Sequence, residues 1–215
     1  MLGFFRQNIT DYLRAHVVSY FFITLILVIG VVIGALAIKT LPEDQKNELV
    51  NYLSVLFLRL NSPTGYSPAD SVSLFSSLVI TNLKTVGLMW LLGFTIVGIP
   101  VILFIVFTRG FVIGFTVGFL IDEYVAKGLI FALAAVLPHN LIAMPALLIT
   151  GVSATSFSLA IARRRMKGRS NLLYETIGYT GICFAMLILL VLSAAIEAYV
   201  SPVFMKLVAG FFIND

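Results

Sequence analysis

Residues 17–38 read VVSYFFITLILVIGVVIGALAI, and none of these 22 residues is charged. A helix of about 20 apolar residues crosses the hydrocarbon core of a bilayer, so this stretch is long enough to span it. The segment Ala35-Leu36-Ala37 at its end resembles a signal-peptide cleavage site. Because the apolar cores of signal peptides are only about 7–15 residues long, we expect a retained transmembrane helix instead.

The composition of the whole chain also indicates an integral membrane protein. Of its 215 residues, 60% are hydrophobic and 11% are charged, and the mean hydropathy is +1.06. A soluble domain carries about 25% charged residues and a disordered chain needs low hydrophobicity, so both classes are excluded. The net charge of +4 does not indicate a nucleic-acid partner, because the basic residues lie beside apolar runs. The lone Cys183 allows no intramolecular disulfide and no cysteine-based zinc site.

Further apolar runs predict an all-α, polytopic membrane helical bundle that forms one domain over residues 1–215. The apolar region 72–121 is about right for two spans, with the break at Gly98-Ile99-Pro100 or, alternatively, at Arg109. The run 129–162 contains Pro138 and Pro145, and two prolines so close disturb a helix, so we expect a kinked or broken segment that crosses once. About five spans follow, over residues 17–38, 80–99, 101–121, 129–162 and 177–197.

The polar segments between the spans predict the orientation. Residues 39–77 contain apolar side chains at helical spacing, which predict an amphipathic helix on the membrane or on the protein's own spans. A basic loop over 163–170 contains five cations, namely Arg163, Arg164, Arg165, Lys167 and Arg169. Because lysine and arginine concentrate in cytoplasmic loops, where they also meet lipid headgroups, this loop should be cytoplasmic. Arg6 and Arg14 place the amino terminus on the same side, so the segment 39–77 and the carboxy terminus should be external.

Glycines at four-residue spacing occur in two of the predicted spans, as Gly30 and Gly34 and as Gly110, Gly114 and Gly118. Small residues four apart form a flat stripe on which another helix can pack closely. Two interpretations are open: packing between the protein's own spans, or an interface with a partner helix or a second copy of the chain.

Polar residues inside the apolar runs form a candidate buried cluster of Asn82, Lys84, Arg109, His139 and Asn140. An ionisable side chain at the centre of a membrane helix costs about 2.5–3.5 kcal/mol, so it usually faces a cavity or a partner, or reaches the interface. The central apolar stretches contain no acidic residue, and Glu197 falls at the end of its run. The residue four positions after His139 is Ala143, so no metal pair is formed. No nucleophile or phosphate-binding motif occurs, and we expect neither an enzyme nor a cofactor.

Three ordered segments carry a resemblance to a known family. They read SSLVITNLK at residues 76–84, RGFVIG at 109–114 and LPHNLIAMPA at 137–146. Over its full length the chain resembles the stage II sporulation protein M family of endospore-forming bacteria. In the wider family a glycine follows the histidine and a glutamate lies two residues before the second proline. Asn140 and Ala143 stand at these positions here, so the resemblance does not imply a His/Glu metal or catalytic site.

The resemblance implies a non-enzymatic membrane anchor that acts in engulfment, at the mother-cell side of the sporulation septum in the plasma membrane. The implied partners are stage II sporulation proteins D and P, which degrade septal peptidoglycan. Candidate partner surfaces are the segment 39–77 and the glycine stripe at 110–118. The alternative is a transporter or export-permease subunit. It would be favoured if Lys84, Arg109 and His139 lined one water-filled cavity, whereas a dry bundle would favour the scaffold.

Overall fold

The computed structural model describes residues 17–61, 68–167 and 172–213, and within these ranges the chain is almost entirely helical. Only residues 41, 42 and 94–97 lie outside helices, and none of the described residues forms a strand. The all-α class predicted from the sequence is therefore confirmed. Arg6, Arg14 and Arg169, which entered the prediction of orientation, lie outside the described residues.

Six α-helices are described, and one of them is unusually long. They are α1 Val17–Ala37, continued by a 3-10 turn at Ile38–Thr40; α2 Glu43–Asn61; α3 Pro68–Gly93; α4 Gly98–Lys167; α5 Leu172–Ala195; and α6 Ser201–Ile213, joined to α5 by a π-helical segment at Ile196–Val200. Four segments are long and apolar enough to cross a membrane, namely Val17–Thr40, Asp70–Gly93, Gly98–Ala162 and Leu173–Leu207.

Helix α4 is broken at Val125, where φ is 50° and ψ is −118°. The break divides it into α4a, residues 98–124, and α4b, residues 126–167. At 1.5 Å per residue these arms are about 40 and 60 Å long, so each exceeds the hydrocarbon core of about 30 Å. The two arms and the three other long segments are therefore long enough for five crossings.

The break at Val125 falls in residues 122–128, between the predicted spans 101–121 and 129–162, whereas the additional break expected at the prolines of the fourth span does not occur. Pro138 and Pro145 are both inside α4b, and the non-helical backbone torsions of α4 occur at Val125. A proline removes one backbone donor, but neighbouring helices can satisfy the carbonyl that it leaves free, so a packed membrane helix tolerates it. The sequence shows the lost hydrogen bond of each proline, but not the neighbouring helices that compensate for it.

The connection between α3 and α4a is a turn at residues 94–97, directly before the expected break at Gly98, so the second span ends at Gly93 and not at residue 99 as expected. It leaves Pro100 in the first turn of α4a, where proline is tolerated, and it leaves Arg109 inside that helix, so the alternative break at Arg109 is wrong. The hydroxyl of Tyr179 is shared between the carbonyls of Met89 and Trp90, both at 3.1 Å, near the end of α3.

The main core lies between α1, α3, both arms of α4 and α5. Its fully buried side chains include Met89, Ile102, Val106 and Val152. A smaller cluster near the Val125 break contains Leu120 and Phe131, and Leu53 of α2 and Met205 of α6 pack on it. The amphipathic helix α2 therefore packs on the protein's own helices.

Helix α2 is held at this end of the bundle by an ion pair. Lys46 Nζ lies 2.8 Å from Asp122 Oδ2, just before the Val125 break. Helix α2, the break and helix α6 therefore lie at one end of the bundle, called the α2 end below. The turn at 94–97 and the basic residues 163–167 lie at the opposite end. The backbone of residues 163–167 continues α4b, and the side chains of the basic run are outside the described part of the chain.

Candidate functional site: a polar cavity between the helices

The polar residues near the middle of α3 and α4a contact each other. Arg109 Nη2 donates a hydrogen bond to Asn82 Oδ1 at 3.1 Å, and Asn82 Nδ2 donates to the carbonyl of Leu190 at 3.2 Å. Asn82 is buried, whereas Arg109 is half-buried. Because both ends of its amide are engaged, Asn82 fixes the position of the guanidinium and joins α3, α4a and α5.

His139 and Asn140 reach the same region from α4b, directly after Pro138. Asn140 Nδ2 lies 2.9 Å from His139 Nε2 and also donates to the carbonyl of Val136 at 2.8 Å. From α5, Ser193 Oγ donates to the carbonyl of His139 at 2.8 Å. The helix next to the first proline is therefore linked to α5 by a side-chain hydrogen bond.

Glu197 adds an acidic group, which the sequence places at the end of the last apolar run. Its Oε2 lies 3.7 Å from His139 Nε2. The apolar run ends at residue 196, but the helix does not, because the π-helical segment Ile196–Val200 continues into α6. Short π-helical turns are frequent at functional sites. Ser193 and Glu197 are four residues apart and so share a helix face, a spacing that could have indicated both.

These side chains line one cavity of about 300 Å³. Four residues of the predicted polar cluster line it, namely Asn82, Arg109, His139 and Asn140, together with Ser193 and Glu197. Lys84 is exposed and does not line it. Residues that are two positions apart on a helix point in different directions. The side chain of Lys84 therefore cannot point into the cavity together with that of Asn82. The cavity therefore holds one permanent cation, one carboxylate and one imidazole.

The cavity extends from the middle of the bundle toward the α2 end. From Asn82, the lining of α3 continues to Leu78, and from Arg109 that of α4a continues to Thr116. Both steps lead toward the end at which Asp122 meets Lys46. The helical rise of 1.5 Å per residue makes the step from Arg109 to Thr116 about 10 Å along the axis.

The glycine stripes face each other between α1 and α4a. A Cβ atom at Gly34 would collide with the carbonyl oxygen of Phe111, and one at Gly114 with that of Val31. A Cβ atom at Gly30 or Gly110 would also collide with a facing carbonyl oxygen, and one at Gly118 would lie 2.9 Å from the Cα atom of Ala35. The stripes therefore bring two spans of the same chain together, and this contact occupies both of them.

Metal-binding side chains do not cluster in the described ranges, where no three His, Cys, Asp or Glu residues come close enough to share an ion. His139 and Glu197 form a pair in the cavity. The thiol of Cys183 is buried in the main core.

Comparison with known proteins identifies the family. A family model described as stage II sporulation protein M matches residues 23–202. The chain belongs to the stage II sporulation protein M family. The matched residues run from α1 to the start of α6 and include every residue of the polar cavity. In the same comparisons, no curated protein and no solved structure matched the chain. Membership of the stage II sporulation protein M family, together with the apolar helices, makes this a sporulation-related membrane protein.

Proposed function

We propose that the chain is a non-enzymatic membrane anchor for septal peptidoglycan-degrading proteins during engulfment, with stage II sporulation proteins D and P as its partners. The observation that carries the proposal is the exposed face of α2. Tyr52 is 75% exposed, Val55 50% and Leu58 70%. These residues are three apart on one face, while Leu53 packs on the bundle. A helix held firmly on one face and apolar on the other suits the docking of a partner protein.

The proposed orientation puts this face on the side of the membrane where peptidoglycan lies. Helix α2 and helix α6 are at one end of the bundle, and the basic residues 163–167 are at the other. Applied to the basic run, the positive-inside rule makes the α2 end external. The amino terminus is then cytoplasmic and the carboxy terminus external, at the mother-cell septal membrane.

Co-purification tests the anchor directly. The chain, extracted in detergent from sporulating cells, should carry both partner proteins. A triple variant with Tyr52→Ser, Val55→Ser and Leu58→Ser should lose them. The matched control is Asn47→Ala with Glu48→Gln, which changes exposed α2 residues and should retain both partners. Equal recovery from the triple variant and the control would show that α2 is not the docking surface. Normal engulfment in cells lacking the chain would overturn the anchor as a whole.

A transporter subunit is the alternative, and the polar cavity is the observation that favours it. Arg109, His139 and Glu197 are ionisable groups within the helices, and such groups often mark a pathway for a substrate or ion. A variant with all three neutralised, Arg109→Gln, His139→Gln and Glu197→Gln, separates the two functions. Full engulfment with this variant supports the anchor. Failed engulfment with unchanged recovery of both partners supports transport.

A further inference from the structure

An apolar groove adjoins the polar cavity. It has a volume of about 410 Å³ and lies between α4a and α4b, with Val117, Leu133 and Met144 among its lining residues. Ile113, Val136 and Asn140 line both the groove and the polar cavity. The polar cavity and the apolar groove therefore meet at these three residues.

The polar cavity contains two charges of opposite sign. Arg109 is permanently charged, and its guanidinium presents five N–H donors. Among the described residues, Asn82 is the side chain that accepts a hydrogen bond from it. Glu197 supplies a carboxylate in the same cavity. A ligand that satisfies both groups carries an anion for Arg109 and a cation for Glu197.

The dimensions of the cavity and the groove suit a lipid. Ligand cavities usually range from about 300 to 1,000 Å³, so a space of about 300 Å³ holds a small polar group rather than a whole amphiphile. The groove is lined from Leu129 to Pro145 on α4b, which is about 24 Å of helix. Half of the hydrocarbon core is only about 15 Å thick, so the groove can hold an acyl chain.

We propose that the cavity and the groove together bind one phospholipid with an ethanolamine headgroup. Arg109 holds the phosphate, Glu197 holds the ammonium, and one acyl chain lies along the groove between α4a and α4b. Arg109 is near the middle of its helix, so the headgroup lies inside the bundle, unlike the headgroup of a lipid at the protein surface. The site does not depend on the anchoring of peptidoglycan-degrading proteins by α2.

Native mass spectrometry of the full chain in detergent tests the site. The chain is titrated with dioleoyl phosphatidylethanolamine or dioleoyl phosphatidylglycerol, and the wild type should prefer the former. Arg109→Gln should weaken the binding of both lipids about tenfold, which is the effect of one hydrogen bond to a charged group. Lys84→Gln removes a cation outside the cavity and should bind as the wild type does. Equal binding by the wild type, Arg109→Gln and Lys84→Gln would overturn the site.

Headgroup selectivity is a readout that a general loss of structure does not mimic. Glu197→Gln should weaken phosphatidylethanolamine about tenfold and leave phosphatidylglycerol unchanged, because only the former offers an ammonium group. An unchanged preference in this variant would overturn the assignment of the headgroup. If Arg109→Gln does not fold, Arg109→Lys keeps a cation there and should bind phosphatidylethanolamine between wild-type strength and tenfold weaker.

The groove has its own variant and control. Val136→Trp fills the junction of the polar cavity and the groove. It should weaken the binding of both lipids about tenfold, because the larger side chain takes up space that the lipid needs. Val32→Trp, on an exposed position of α1, should have no effect. Glycerophosphoethanolamine has the headgroup without acyl chains and should bind far more weakly than the lipid. Equal affinity for the two compounds would show that the groove contributes nothing.

Discussion

Arg109 donates a hydrogen bond to Asn82 across the interface of α3 and α4a, at 3.1 Å. Asn82 in turn donates to the carbonyl of Leu190 on α5 at 3.2 Å. One buried amide therefore joins three membrane helices and positions the only permanent charge among the residues that line the cavity. Such an arrangement is sensitive to the loss of its central member, because the guanidinium of Arg109 then loses this acceptor and α3 loses its side-chain hydrogen bond to α5.

Replacing Asn82 with leucine should destabilise the protein by about 1–3 kcal/mol. Leucine has a similar size but cannot bond to either neighbour, and an unsatisfied buried polar group costs about this much. The measurement is the free energy of unfolding in mixed detergent micelles. Thr108→Val is the control, since Thr108 is exposed and its hydroxyl donates within its own helix, to the carbonyl of Phe104. A change below about 0.5 kcal/mol in Asn82→Leu would contradict the proposed role.

Replacing Gly114 with alanine should destabilise the protein by about 1–3 kcal/mol, the usual cost of overpacking. The added methyl group would collide with the backbone carbonyl of Val31, which has little freedom to move. Gly87→Ala is the matched control, because a Cβ there has no atom within 4 Å. That control should instead stabilise helix α3 by about 0.5–1 kcal/mol, since alanine favours helix over glycine. Opposite signs in thermal unfolding are the expected result, and two equal shifts would contradict it.

The sequence predicted the all-α class because long apolar runs, which it contains in full, favour membrane helices. It did not predict the bounds of α3, which is Pro68–Gly93, where the apolar run favoured a span over 80–99. It also predicted most of the polar cluster, since Asn82, Arg109, His139 and Asn140 are unusual in apolar surroundings. It could not assign Lys84 correctly, because the side of a helix that faces a cavity depends on how the helix is rotated against its neighbours.

The environment of Glu197 could not be predicted from the apolar run, which ends at residue 196. The chain stays helical beyond the run, and the carboxylate of Glu197 lies 3.7 Å from His139. The break at Val125 falls in residues 122–128, between the predicted spans 101–121 and 129–162. The additional break expected at the prolines does not occur, because proline is tolerated in a membrane helix that packs against its neighbours.

Replacing Val125 with glycine should stabilise the protein by about 1–2 kcal/mol. A β-branched residue with φ of 50° is strained by about 1–3 kcal/mol, and glycine removes this strain at an entropic cost of about 0.5–1 kcal/mol. Val101→Gly is the control, because Val101 is an exposed residue inside α4a, and it should lose stability by about 0.5 kcal/mol. Both free energies can be measured by unfolding in detergent. Destabilisation by Val125→Gly would show that the β-branched side chain is needed at the break.

Breaking the Lys46–Asp122 ion pair should loosen α2 from the bundle. The hydrogen bond and charge of Asp122, with the carboxylates of Glu43 and Glu123, raise the pKa of Lys46 more than desolvation lowers it. The protonated lysine is the form that the folded state favours. Its contribution is therefore complete below the ordinary lysine pKa and is lost as the pH rises through the raised value, so α2 should stay docked equally well from pH 6 to 9.

Hydrogen exchange in residues 43–53 measures this docking. Lys46→Met and Asp122→Asn should each speed exchange a few-fold, as expected for an exposed ion pair. The charge swap Lys46→Asp with Asp122→Lys should recover part of the protection, because it restores opposite charges at the same positions. Lys39→Met, an exposed lysine just before α2, is the control and should leave exchange unchanged. If the swap exchanges faster than either single variant, the two side chains do not act as a pair.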